Sequence, residues 1–166
     1  MLASDEIAAI LDRWLRMKRS PLPLKRFRIV TLATNVPVPV AAGRLAELGA
    51  KVTKIEPPDG DALGTQHCPS WYQEMIRGQK VLRLNLKASK DRKRLDDFLE
   101  KSDLLLTSSR PASLERLSLG WKELHRKFPK LSQVALVGHP FPRRGVAGHD
   151  RPMILPDRVG VSGPGA

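Results

Sequence analysis

Apolar and polar positions along residues 27–137 switch repeatedly between a period of two and a period near 3.6, the signature of strands alternating with helices. Phe27 to Ala33 predicts a strand, Asn35 to Pro39 an irregular loop, and Val40 to Leu48 a helix. In that helix Ala41, Ala42, Leu45 and Leu48 lie three and four apart and can share one buried face. Pro39 suits the first helical position, where a missing N–H costs nothing, and Gly49 suits the left-handed residue just past the end. Lys51 to Glu56 alternates as a strand, with Val52 and Lys54 leaving one face mixed, and Pro57-Pro58-Asp59-Gly60 closes it as a turn. Gly60 to Lys80 reads as a long irregular connection, a length that points to function or to packing over something large.

The same alternation continues. Val81 to Leu86 predicts a half-buried strand with Leu82, Leu84 and Leu86 on one face. Ser89 is positioned to cap a helix carrying Leu95, Phe98 and Leu99, and Asp103 to Thr107 contains the next strand. Short helices at Pro111–Leu117 and Trp121–Lys127 lead to a strand at Leu131–Val137. The fold class that follows is α/β: a Rossmann-like open, mainly parallel sheet flanked by helices. From His139 onward the pattern dissolves into Pro, Arg and Gly, so the chain reads as an incomplete version of such a fold. Residues 1–20 read as a separate amphipathic helix, with Ser4 as N-cap and Ile7, Ile10, Leu11, Trp14 and Leu15 on one stripe. Packing on the domain or on a partner chain suits that stripe better than a membrane surface. The organisation expected is the helix 1–20, a stiff linker 21–26, the Rossmann-like domain 27–150, and an irregular tail 151–166.

Composition narrows the setting. At 166 residues the length fits one domain, and no apolar run of about 18 residues is present to span a bilayer. Asp5 and Glu6 fall where a secretory signal would be basic and then apolar. Cys68 is the only cysteine and has no internal partner, which fits a reducing, cytoplasmic compartment. The formal net charge of +12 predicts attraction to polyanions. The densest basic run, Lys87 to Lys101, nonetheless alternates with Asp91, Asp96, Asp97 and Glu100, as a solvated helix face does. A nucleic-acid binder driven by charge is disfavoured by the scarcity of aromatic residues and the lack of a recognised motif.

Several chemistries drop out. The loop after the first strand, Ala33-Thr34-Asn35-Val36-Pro37, has no G-x-G-x-x-G, and no phosphate-cradling G-x-x-x-x-G-K occurs anywhere. His67, Cys68, His139 and His149 match no zinc spacing, so no metal is expected. In Gly148-His149-Asp150 a carboxylate adjoins an imidazole, a pairing suited to acid–base work, although local sequence alone reads it as an exposed loop pair. Arg110 and Arg116 stand near a strand end, where ligands of open parallel sheets bind, and a guanidinium there can meet phosphate.

Read in order, the segments resemble the N-terminal portion of a family III CoA-transferase, the CaiB/BaiF family that includes formyl-CoA transferase, carnitine CoA-transferase and 2-methylacyl-CoA racemase. The matching words are Ile29-Val30-Thr31-Leu32, Gly43 through Val52 (GRLAELGAKV) and Lys54 through Asp61 (KIEPPDGD). Arg77-Gly78-Gln79-Lys80, Leu84-Asn85-Leu86-Lys87, Ser109-Arg110-Pro111, Leu114-Glu115-Arg116-Leu117 and Gly148-His149-Asp150 follow. The resemblance covers about residues 22–150 and implies coenzyme A or an acyl-CoA as ligand and substrate. It implies that Leu84, Lys87 and Arg116 hold CoA and that the loop Asn35-Val36-Pro37 lies beside the thioester. It also implies a parent activity of CoA transfer between an acyl-CoA and a carboxylic acid, through an acylated aspartate whose segment lies later in the family's chain and has no counterpart before Ala166. In the racemases of the family the aspartate of the G-H-D word works as an acid–base residue, and Asp150 takes that place here, with His125 and His139 nearby in sequence. The departures are Thr31 for a first-strand aspartate, Val38 for the glycine before Pro39, Ile76 for an asparagine and Ala112 for the glycine of R-P-G. The readings that remain are a transferase, a racemase-like enzyme, and a non-catalytic CoA-binding or assembly fragment that works as a homodimer or with a complementing second chain.

Overall fold

The computed structural model describes residues 22–34 and 36–137, together with the backbone of a short strand at 160–162. The expectations for the helix 1–20, for Asn35, and for His139, His149 and Asp150 lie outside the described residues.

The elements run β1 (Arg28–Thr31), α1 (Pro37–Glu47), β2 (Lys51–Glu56), a π-helical turn (Leu63–His67) and α2 (Pro69–Met75). They continue with β3 (Lys80–Arg83), α3 (Ser89–Glu100), β4 (Leu104–Thr107), α4 (Pro111–Arg116), α5 (Trp121–Lys127), β5 (Ser132–Ala135) and β6 (Gly160–Ser162). The sheet order is β3-β2-β1-β4-β5-β6. The first five strands pair in parallel, and β6 closes the edge antiparallel to β5, with Val134 opposite Val161. That strand lies within 151–166, which the sequence reads as irregular. No helix among the described residues is long and apolar enough to cross a membrane.

A parallel sheet covered on both faces needs apolar residues on both, and the strands supply them alternately. Val30, Ile55, Leu84 and Leu105 face Leu95 and Leu99 of α3, Leu114 of α4 and Leu124 of α5. Ile29, Val52 and Leu106 face Val38 and Ala42 of α1. Leu82 and Leu86 join Leu84 on the first face, so the period-two reading of that strand holds, although hydrogen bonding stops the formal strand at Arg83. Beyond it Leu84 still donates from its backbone N–H to the Glu56 carbonyl at 2.9 Å.

Three local expectations are corrected. Helix α1 begins at Pro37, so Pro39 lies inside the first turn, where backbone N–H groups have no helical acceptor and either proline is tolerated. Ser89 is the first residue of α3, and its hydroxyl makes no cap; Ala88 is the boundary residue. The entry to α3 is held instead by Asp91, whose Oδ2 accepts the Asn85 N–H at 2.8 Å. Finally, the Gly60–Lys80 connection contains the π-helical turn and α2. Leu63, Tyr72 and Met75 form a small core there, but the chain breaks at Cys68 (φ −146°, ψ 82°), so no continuous helical period runs through the segment.

Gly49 behaves as its position predicts. Its φ is +100°, and a β-carbon there would lie 2.5 Å from Leu22 Cβ. Both the backbone and the packing therefore require glycine. Gly49→Ala is expected to cost about 1–3 kcal/mol, read as an earlier urea midpoint with an unchanged slope.

Candidate functional site

In an open α/β sheet the ligand crevice lies outside the carboxyl ends of the strands. At that edge a cavity of about 420 Å³ is lined by Glu56 at the end of β2 with Pro57 and Pro58 just beyond it, by Leu84 and Lys87 after β3, and by Leu117 after α4. The backbone that presents Lys87 is well determined. Asn85 Oδ1 accepts the Lys87 N–H at 3.1 Å, and the Ala88 N–H reaches the Asn85 carbonyl at 2.9 Å. The Lys87 side chain is exposed and forms no ion pair with a described residue. Leu117 is held in place from outside the cavity by Arg92, which donates to the carbonyls of Leu117 and Ser118 and pins a turn in which Ser118 takes a φ of 52°. An ammonium beside an apolar-walled crevice, carried on a rigid turn, is suited to an anionic ligand with an apolar body.

Of the residues proposed from sequence, Leu84 and Lys87 share this cavity. Arg116 does not line it, although its neighbour Leu117 does. Arg116 ends α4 exposed, with Nη2 on Ser113 Oγ at 3.2 Å. Val36 and Pro37 start α1 on the other face of the sheet, where Val36 packs against Leu63, Tyr72 and Met75. They do not join Leu84 and Lys87. His125 stacks on Trp121 with ring centroids 4.8 Å apart. Among the described residues no cluster of His, Cys, Asp and Glu is arranged to hold a metal ion.

Behind the cavity lies a group of charges that the sequence reading missed. Lys54, Glu56 and Asp61 are all at most 2% exposed. Lys54 Nζ donates to Glu56 Oε1 at 2.5 Å and to Asp61 Oδ2 at 2.7 Å. The Tyr72 hydroxyl donates to the same Glu56 Oε1 at 2.6 Å, while Glu56 Oε2 is buried without a hydrogen-bond partner among the described residues. Asp61 Oδ1 accepts the Leu63 N–H at 3.0 Å, which ties the start of the π-helical turn to the cluster. Burial, then the hydrogen bond to Glu56, push the Tyr72 phenol well above its ordinary value, so it stays a donor. Gly64 makes this packing feasible: a β-carbon there would sit 2.7 Å from the Tyr72 ring.

Taking these charges out of water is expensive and is offset only by mutual pairing. The consequence for the cavity is direct, because the Glu56 side chain is locked on one face while its backbone carbonyl holds the Leu84 N–H. The signal was present in the alternation. Val52, Lys54 and Glu56 occupy one face of a strand flanked by β1 and β3, so the charges there had to find partners inside.

Comparison with known proteins agrees with this geometry. Residues 24–155 match the family model described as CoA-transferase family III. Among curated proteins, the cinnamoyl-CoA:phenyllactate CoA-transferase of Clostridium sporogenes is 32% identical over 82% of this chain and 36% of its own length. The succinyl-CoA–D-citramalate CoA-transferase of Chloroflexus aurantiacus is 29% identical over 87% of this chain and 42% of its own. The chain thus spans about two-fifths of the relatives it matches. Among solved structures, the hypothetical protein Rv3272 of Mycobacterium tuberculosis superposes with a TM-score of 0.71 at 29% identity, over 77% of this chain and 38% of that one. A CAIB/BAIF family protein from Brucella suis has the same fold, with a TM-score of 0.72 at 23% identity over 77% of this chain and 37% of its own. With its five parallel strands, the cavity at their carboxyl ends and a family match over most of its length, this chain belongs to CoA-transferase family III.

Proposed function

We propose that these residues form the coenzyme A-holding part of an enzyme that transfers CoA between an acyl-CoA and a carboxylic acid. The observation that carries the proposal is the convergence of Leu84 and Lys87 on one cavity at the carboxyl ends of β2 and β3. In this reading the Lys87 ammonium meets phosphate oxygens of CoA as a point charge. The Arg116 guanidinium closes from the rim as a fork, and the two groups divide the diphosphate and 3′-phosphate between them. Pro57, Pro58 and Leu117 supply apolar walls for the adenine. The pantetheine arm runs along the sheet edge toward the loop Asn35-Val36-Pro37, where the thioester is handled. The printed names of the relatives above, each a transferase pairing an acyl-CoA with an acid, favour transfer over the racemase-like alternative built on Asp150. A curated relative 32% identical over 71% of this chain and 31% of its own length is named as the beta subunit of a succinyl-CoA–L-malate CoA-transferase. Assembly with a copy of this chain or with a complementing chain is part of the proposal.

Calorimetric titration of the chain with CoA tests it. Binding is expected, with Lys87→Ala and Arg116→Ala each weakening it about 5- to 50-fold, the range for losing a charge-assisted contact to phosphate. Arg116→Lys is expected to recover only part of the loss, because an ammonium cannot reproduce the fork. No binding at millimolar CoA, or binding indifferent to both substitutions, would overturn the assignment.

A further inference from the structure

The other edge of the sheet carries a second cavity, larger than the first and of different chemistry. About 480 Å³ open between the starts of β1, β2 and β3 and the carboxyl end of α3. Its lining includes Arg28, Lys51, Lys80 and Lys101, together with Phe98 and Ser102. Strand register explains the convergence of residues so far apart in the chain. Arg28 is the partner of Lys51, and Thr53 is the partner of Lys80. Partners in a parallel pair share a face, so Arg28, Lys51 and Lys80 all project to the side that α3 covers, continuing the rows that end in Val30, Ile55 and Leu82.

Like charges set side by side across strands destabilise a sheet. None of these four cations forms an ion pair with a described residue. The acids at hand lie close but are ion-paired with none of the four side chains. Asp103 Oδ2 is engaged by the Arg28 backbone N–H at 2.8 Å, and Glu100 stands exposed on α3 outside the lining. The negative end of α3 also points here, but its last carbonyls are partly satisfied, with Phe98 O accepting from Ser102 Oγ at 2.7 Å. Lys80 Nζ stands 6.0 Å from the centroid of the Phe98 ring, which gives the cavity an apolar floor beneath a cation.

We propose that this amino-edge cavity binds a small molecule bearing two or more phosphate groups, at a site separate from the crevice at the carboxyl edge. Its concave form and its volume suit a compact ligand rather than a nucleic-acid backbone tracking over a surface. A multivalent anion would neutralise the mutual repulsion of Arg28, Lys51, Lys80 and Lys101 and stabilise the starts of three strands at once.

The experiment is a titration of the intact chain with sodium tripolyphosphate, read by calorimetry and by backbone amide chemical shifts. Saturable binding is expected, with shifts concentrated at residues 28, 51–53, 80 and 101–102. The double substitution Lys51→Ser and Lys80→Ser is expected to weaken it about tenfold or more. The same variant should melt no earlier than wild type without the ligand, since it removes repulsion, and so loss of binding is separable from loss of fold. Lys87→Ala should leave the tripolyphosphate-induced shifts at residues 28, 51–53, 80 and 101–102 unchanged, whatever it does at the carboxyl edge, which separates this site from the proposed CoA crevice. Absence of saturable shifts at residues 28, 51–53, 80 and 101–102, equal weakening of those shifts by Lys87→Ala, or displacement by a single-stranded oligonucleotide at lower total phosphate would overturn the proposal.

Discussion

Lys54→Met is expected to lower the stability of this chain by about 3–5 kcal/mol, a large share of what a domain of this size possesses. The substitution removes the ammonium that pairs with Glu56 Oε1 and Asp61 Oδ2, at 2.5 and 2.7 Å, in a setting where the lysine is wholly buried. Glu56, wholly buried, would then keep only the Tyr72 hydroxyl as a donor among the described residues, which leaves its charge uncompensated. The effect should be visible in urea unfolding as a lower midpoint. A change below about 1 kcal/mol would mean that the pair behaves as a solvated one. A companion variant that also carries Glu56→Gln and Asp61→Asn should recover much of the loss. It removes the charge at all three positions, and amide oxygens at 56 and 61 can still accept the Tyr72 O–H and the Leu63 N–H.

The second large effect concerns Leu84. This residue is 2% exposed, packs in the core between the sheet and α3, and also lines the carboxyl-edge cavity. Leu84→Ala is therefore expected to cost about 2–5 kcal/mol, the transfer term plus the void left behind. Its consequence for ligand binding must be read against that loss. If Leu84 only fills the core, CoA affinity measured well below the melting temperature should change little. If its side chain also forms part of the binding wall, affinity should fall in step with the lost contact. Leu84→Met, which keeps the volume, should hold stability to within about 1.5 kcal/mol and serve as the reference. Thermal unfolding and CoA titration of the two variants together distinguish the roles, and a stability loss under about 1 kcal/mol for Leu84→Ala would contradict the packing described here.

The buried cluster and the cavity are one construction seen from two faces of β2. Odd-numbered Ile55 faces α3, even-numbered Glu56 faces Tyr72 and the π-helical turn, and the Glu56 carbonyl carries the Leu84 N–H. Perturbing Lys54 or Tyr72 should therefore move the floor of the carboxyl-edge crevice without touching a ligand.

Much of this was legible in the chain. The order of strands and helices from Phe27 to Val137 outside the Gly60–Lys80 connection, the shared face of Leu82, Leu84 and Leu86, the glycine demanded at position 49, and the run of family words could all be read without coordinates. Each rests on local periods or on backbone geometry within a few residues. The tertiary structure decided the rest. A lone alternation cannot tell a mixed face from a sealed one, so Val52 and Lys54 read only as a mixed face, which β1 and β3 seal by flanking it. A broken period hid α2, because only Tyr72 and Met75 of its seven residues are buried and the chain breaks at Cys68 just before it. Arg28, Lys51, Lys80 and Lys101 are scattered in sequence and were absorbed into a general positive charge. Parallel register alone gathers the first three on one face, at the end where α3 brings the fourth, because pairing aligns strand starts that the chain keeps tens of residues apart.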